Sequence, residues 1–355
     1  MSKNYVKVGI VGCGFITQNT HIPAFRRAKG ARIVALCDTN ESIATNIARK
    51  QKIPSVYTSL TNMLEKEQLD LVDICTPIET HANLSVEALE ANCHVLVEKP
   101  LALTASEAEH IVKIANKKNK ALCVAHNMLF LPIVMKMKKL VEEGFVGHIL
   151  KVQVVQGCPP EDFPPVADPS HWYHRLPGGI HGDNLPHPLY IARHFIGDMD
   201  VVQMDAYKTG SLEHLEVDTI QIALKGNNSD AVIMSSCNMP SIWTVDILGT
   251  KNTLHANLIN SYLMSPSTKT LAGKGIPALY AMQNIAKSMQ IIGWTARMGL
   301  LMMQSRHTGH TNLIRSIVES INSGSEPPIT AQDGLEITCL WEKITEQIPT
   351  GKRSV

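Results

Sequence analysis

The run Val8-Gly9-Ile10-Val11-Gly12-Cys13-Gly14-Phe15-Ile16-Thr17 passes from β-branched residues through closely spaced glycines into a helical segment. Gly12 permits a tight turn, and Gly14 lets the backbone approach a pyrophosphate whose charge is met by the helix N-terminus that follows. Asp38 closes the next β-branched run, where a carboxylate accepts the ribose 2'-hydroxyl hydrogen bonds of NAD and repels the extra phosphate of NADP. Thr17 stands where the fingerprint usually has its third glycine, so the reading rests on glycines, helix and acid occurring together in one βαβ unit. Lys99 lies just past another apolar run, at the strand end where ligands bind in such sheets.

The elements that must position these residues alternate up to about residue 125. Strands are expected at Val6–Val11, Arg32–Cys37, Leu71–Cys75, His94–Val97 and Ala121–Ala125. Between them, 41–51, 81–91 and 106–119 place apolar residues three and four apart, as in Ala108, Ile111, Val112 and Ala115, the pattern of amphipathic crossover helices. A further helix at about 131–143 ends at Gly144. After Gly147, extended runs at 149–155, 201–208, 218–225, 231–237, 243–248 and 253–259 with short turns imply an antiparallel sheet. A proline-rich loop, Cys158 to Pro169, reads equally as surface linker or pocket rim. The fold class expected is α/β: an N-terminal doubly wound parallel sheet (1–125), then a C-terminal α/β domain (126–355) with an open, mainly antiparallel sheet, its last helix able to pack back on the first domain.

Composition narrows the function classes. The 355 residues are 44% hydrophobic and 18% charged, and 33 basic against 32 acidic side chains leave +1, which argues against disorder and against nucleic-acid binding by phosphate neutralisation. Eight scattered cysteines without a C-x-x-C read as reduced thiols rather than a disulfide frame or zinc site. The N-terminus runs straight into a strand without an apolar signal core, and the longest apolar stretches are broken by charges such as Lys287 and Arg297. A soluble cytoplasmic protein with no membrane partner is expected.

Two further segments carry a resemblance. Cys75-Thr76-Pro77-Ile78-Glu79-Thr80-His81 followed by Val97-Glu98-Lys99-Pro100 resembles the T-P-x-x-x-H and E-K-P motifs of the family of glucose-fructose oxidoreductase, inositol dehydrogenase and the rhizopine-catabolism protein (Gfo/Idh/MocA). Gly178-Gly179-Ile180-His181-Gly182-Asp183-Asn184-Leu185-Pro186-His187 is similar to its G-G-x-x-x-D-x-x-x-H. With Arg315 to Glu319 and Asp333-Gly334, the resemblance covers nearly the whole chain. It implies a Rossmann domain plus an open-faced α/β domain, with a substrate held against nicotinamide. Gly12, Gly14, Phe15, Ile16, Asp38, Thr76, Pro77, His81, Glu98 and Lys99 are then expected to meet NAD, and the Lys99-Pro100 bond to be cis.

Moving a hydride from a secondary alcohol requires a base for the hydroxyl proton and a cation beside the developing alkoxide. Lys99 suits the second task and His187, with an ordinary pKa near neutrality, the first. Asp183 orients His187 or shares substrate hydroxyls. Pro186 and Pro188 fit only a first helical turn, so a helix is expected to begin near Pro186; whether Asp183 faces His187 is then not decided by periodicity. His126 and Asn127 follow a strand end and, with Trp172, His181 and Asn184, are the expected substrate contacts. Leu129 sits where family members often carry a cation. His181, Asp183 and His187 could offer three metal ligands, but no zinc spacing is present and no metal is expected.

The expected activity is NAD-dependent oxidation of a sugar, glycoside or cyclitol. The alternatives are a redox-neutral cleavage of glycosides by oxidation, elimination and re-reduction, and a cofactor-bound regulatory protein without turnover. An open sheet face generally needs covering, so a homo-oligomer, dimer or tetramer, is expected. Within 261–310, Leu279, Met282, Ile285, Met289, Ile292 and Met298 fall at helical spacings and read first as core helices, second as a subunit contact or a lid.

Overall fold

The computed structural model describes residues 5–265, 282, 284–286, 288–296 and 308–349. Six strands of near-continuous apolar sequence pair in the order β3-β2-β1-β4-β5-β6, all parallel. They are β1 (Val6–Val11), β2 (Ala31–Cys37), β3 (Ser55–Tyr57), β4 (Leu71–Ile74), β5 (His94–Val97) and β6 (Leu122–Val124). Val8, Ile10, Val72, Ile74, Val95 and Leu96 are fully buried, as expected of a sheet covered on both faces.

Local chemistry sets the helices between the strands. In α2 (Glu41–Gln51) the Asn40 side chain accepts the Ile43 N–H, and Lys52 ends the helix in the left-handed region. In α5 (Ala105–Lys118) Thr104 and Glu107 form a capping box, a device contributing about 1 kcal/mol. The helix expected after the glycine turn is present, its π turn at Thr17–His21 continuing into α1 (Ile22–Arg27). The short α3 (Leu60–Lys66) and the strand β3 were not expected from periodicity; each is too short to display a period. The remaining crossover helix, α4 (His81–Glu90), lies where its apolar spacing predicts.

Residues 5–130 and 308–342 make one compact unit. The C-terminal helices α9 (Thr308–Ser323) and α10 (Ala331–Thr345) therefore lie mostly with the first domain, not with the second. Packing gives the reason: a Cβ on Gly334 would stand 2.4 Å from Val124 Cγ2, so only glycine lets α10 approach β6 so closely. Thr330 and Asp333 cap α10 reciprocally.

The second unit comprises 131–265, the described residues of 282–296 and 343–349. Its sheet runs β13-β12-β11-β7-β10-β9-β8, from β7 (Ile149–Gly157), β8 (Met199–Tyr207), β9 (Thr219–Gly226), β10 (Asp230–Ser236), β11 (Ile242–Gly249), β12 (Thr253–Asn257) and β13 (Tyr262–Met264). All pairs are antiparallel except the central β7–β10, which is parallel, so the sheet is mixed rather than antiparallel throughout. The helix α6 (Pro132–Glu142) opens on Pro132 at its first position. Helices α7 (Ile180–Asn184) and α8 (Pro186–Ile196) follow β7, and α8 packs on β7 and β10. The proline-rich loop is neither plain linker nor rim: its Val166 is buried with Ile180, Leu215 and Cys237 in a small core of its own.

The helical residues between 282 and 296 overturn one expectation. Met282, Ile285, Met289 and Ile292 are 60–68% exposed, so they are not core of this chain; Leu279 and Met298 lie outside the described residues. No helix among the described residues is long and apolar enough to cross a membrane.

Candidate active site

The glycine turn joins β1 to the next helix. Gly12 has φ +89°, and a Cβ there would meet the Cys75 carbonyl oxygen at 2.5 Å, so both conformation and space require glycine. At Gly14 a Cβ would meet nothing within 4 Å: the backbone there faces open space, as an approach to a pyrophosphate demands. Thr17, in the third glycine position, is buried and its hydroxyl donates to the Gly12 carbonyl at 2.6 Å, tying helix to turn. Phe15 is exposed and Ile16 half-buried beside them. Asp38 Oδ2 accepts the Cys13 N–H at 2.7 Å and Oδ1 the Asn40 N–H at 2.8 Å, which fixes the carboxylate next to the turn. These residues fit a dinucleotide carrying a free ribose diol.

Thr76 and Pro77 follow β4. Thr80 donates to the Pro77 carbonyl at 2.8 Å and lies 2.7 Å from the Thr76 hydroxyl. His81 is buried with Nδ1 2.9 Å from the Pro100 carbonyl and Nε2 2.9 Å from that of Thr76. It bridges the loops after β4 and β5, and burial pushes its pKa down, keeping it neutral. Glu98 and Lys99 follow β5, and the Lys99-Pro100 bond is cis, as the resemblance implies. His126 is buried, while Asn127 is half-buried with its amide nitrogen 3.3 Å from His310 Nδ1.

In the second unit, Gly179 precedes α7 and Pro186 begins α8, as the two prolines predict. Leu185 between them keeps φ −58° and ψ −35° and donates its N–H to the His181 carbonyl, so the helical path is unbroken. Asp183 and His187 thus stand four residues apart on one helical face, and both are half-buried, as is Asn184. His181 is buried instead; its Nε2 finds no partner among the described residues, and burial lowers its pKa to about 4. Trp172 is exposed on a short 3-10 turn. The ligand atoms of His181, Asp183 and His187 do not converge within metal-binding distance of one another.

Two residues escaped the sequence reading. Tyr190, buried one turn after His187 on α8, places its hydroxyl 2.6 Å from His187 Nδ1. The spacing of three was visible, but an aromatic on a core-facing helix reads as packing. Trp243 on β11 comes from far along the chain to lie edge-on to the imidazole, ring centroids 5.7 Å apart. For His187 Nε2 to accept a proton, Nδ1 must carry one and donate it to the Tyr190 oxygen. Tyr190→Phe is therefore expected to reduce kcat roughly tenfold, the cost of leaving one buried donor unpaired, with NAD affinity unchanged. Stopped-flow turnover alongside a cofactor titration checks this.

The profile described as "Oxidoreductase family, NAD-binding Rossmann fold" matches residues 6–126, and that of the Gfo/Idh/MocA C-terminal domain matches 134–255. The chain is 25% identical over 346 residues to the oxidoreductase YrbE of Bacillus subtilis, covering 95% of this chain and 92% of that one. It is 33% identical over 141 residues to the D-apiose dehydrogenase of Paraburkholderia graminis, a match limited to 40% of this chain and 37% of that protein. Among solved structures, the WlbA dehydrogenase of Bordetella pertussis, in complex with NADH and UDP-GlcNAcA, superposes with a TM-score of 0.75 at 21% identity, covering 98% of this chain and 96% of that one. A probable dehydrogenase of Thermotoga maritima superposes with a TM-score of 0.74 at 19% identity, covering 97% of this chain and 96% of that one. With both domains matched and the glycine turn and Asp38 arranged for NAD, the chain belongs to the Gfo/Idh/MocA family of NAD-binding oxidoreductases.

Proposed function

We propose that the protein is an NAD-dependent dehydrogenase acting on a secondary hydroxyl of a sugar, glycoside or cyclitol. The observation that carries this reading is the continuous helical face presenting Asp183 and His187, with His187 Nδ1 engaged by Tyr190. NAD, when bound, supplies the hydride acceptor. His187 Nε2 takes the hydroxyl proton, Asp183 receives hydroxyls of the substrate or orients the imidazole, and the Lys99 ammonium stabilises the developing alkoxide. The hydroxyl-rich substrate class is supported by the likeness to a D-apiose dehydrogenase. Eight free cysteines are in keeping with a reducing cytoplasmic setting.

The test follows the absorbance of reduced cofactor while NAD-loaded protein meets a panel of sugars, cyclitols and aryl glycosides. Net reduced cofactor with at least one polyol is the expected result. Release of aglycone without it would assign the redox-neutral cleavage instead, and neither signal across the panel would refute the reading.

We further propose that a second copy of the chain covers apolar surface of the second unit. On the sheet face turned away from α8, Val155, Val232 and Met234 are only half-buried and Tyr207 and Leu248 are exposed. Met289 and Ile292 are exposed apolar side chains of the same unit. Met289→Glu with Ile292→Glu is expected to lower the oligomer mass in light scattering; an unchanged mass removes that helix from the interface.

A further inference from the structure

Six side chains form one chain of polar contacts at the carboxyl edge of the parallel sheet. His21 ends a π-helical turn, Thr17–His21, a widened geometry that recurs at functional sites. It is fully buried, with Nδ1 2.9 and 3.1 Å from the two Asp73 oxygens on β4 and Nε2 2.9 Å from Glu98 Oε1 after β5. His310 Nε2 on α9 stands 3.6 Å from the same Glu98 oxygen, and the Asn127 amide meets its Nδ1. The Cys75 thiol, also facing His21, donates to Asp73. Glu98 Oε2 accepts the main-chain N–H of Lys99 at 3.3 Å.

An imidazole that faces carboxylates at both nitrogens can donate to both only as the imidazolium. Burial alone would lower the pKa of His21, but the Asp73 charge and hydrogen bond, together with the Cys75 contact, outweigh it and raise the value well above the ordinary 6.5. Burial likewise would raise Glu98, yet hydrogen bonds from His21 and His310 hold it well below 4.5. At His310 burial prevails and lowers the pKa; the ring faces the Asn127 amide at 3.3 Å and Glu98 at 3.6 Å. Without the cation, Asp73 and Glu98 would be two carboxylates sharing a buried space, and one would have to protonate or move.

We propose that His21 is a positioning residue: as a buried imidazolium it anchors Glu98, and through the Glu98 bond to the Lys99 main chain it holds the strand end that carries Lys99. The consequence for catalysis rests on the dehydrogenase reading above. Loss of the anchor lets the strand end drift, and displacements on the scale of 1 Å cost up to about a hundredfold in rate.

Three measurements test this. In wild-type protein carrying 15N-labelled histidine, both His21 ring nitrogens should stand at the imidazolium position at neutral pH; an unprotonated ring nitrogen on His21 there would overturn the proposal even if no variant folds. In His21→Gln, amide hydrogen exchange at Lys99 should quicken by about tenfold or more, whereas exchange unchanged there would refute the anchoring. These two readouts need no substrate, so they stand apart from the failure of the dehydrogenase reading, which would appear as no turnover by the wild type. With a turned-over substrate in hand, His21→Gln should lower kcat by about ten- to a hundredfold with KM shifted less than about threefold, and the acid limb of the pH profile should move to higher pH as Asp73 and Glu98 come to share a proton. A limb that stays in place while only the melting temperature falls would mean that His21 is merely structural.

Discussion

Lys99→Ala and His187→Ala are each expected to lower turnover at saturating substrate by at least about a hundredfold, while the dissociation constant of NAD stays near that of the native chain. The separation of the two effects follows from where the residues stand. The turn that meets the cofactor is held by Gly12, Thr17 and Asp38 through bonds that involve neither residue. Lys99 sits past the end of β5, held at its main chain by Glu98, so truncating its side chain removes an ammonium and leaves the strand end in place. His187→Ala removes the proposed proton acceptor, an imidazole whose Nδ1 is engaged by the buried Tyr190 and which a methyl group cannot imitate. Single-turnover kinetics combined with a calorimetric cofactor titration measures both quantities; wild-type turnover in either variant would remove that residue from the mechanism.

Asp38→Ser combined with Thr39→Arg moves cofactor preference from NAD toward NADP by about a hundredfold or more in the ratio of dissociation constants. The native carboxylate is locked beside the turn by two backbone N–H groups, at 2.7 and 2.8 Å, so a 2'-phosphate would meet a fixed negative charge. Thr39 and Asn40 next to it are exposed and offer no cation. The double change removes the repulsion and supplies a fork suited to phosphate. Because Asp38 also holds the Cys13 N–H, the variant should lose some affinity for both cofactors, and only the ratio tests the assignment. Titration by quenching of protein fluorescence reports it; similar constants for NAD and NADP in the native chain would contradict the role of Asp38.

Much of the first unit was legible along the chain. The expected bounds of β1 and β5 coincide with the observed strands, and α2 matches residue for residue, because buried β-branched runs and a capped amphipathic period are local properties. The glycine turn, Asp38 and the helix start at Pro186 were legible for the same reason: each depends on the backbone preferences of a few adjacent residues. The three-residue strands β3 and β13 were not, since such short segments take their structure from the neighbour they pair with.

What the sequence by itself determined is the class of each long element and the residue types offered at each strand end. Only the tertiary structure decided which distant residues meet. The parallel pairing of β7 with β10 joins segments separated by two helices and two strands, which no local pattern encodes. Leu185, just before Pro186, could have broken the helix there; its helical dihedrals place Asp183 and His187 on one face. His21, next to the glycine turn in the chain, faces carboxylates at both nitrogens only because Asp73 on β4 and Glu98 just past β5 reach it in the fold. The physical reason is common to all three: periodicity and capping act over a few residues, whereas strand pairing and the electrostatics of a buried site depend on contacts between parts of the chain that only the folded packing brings together.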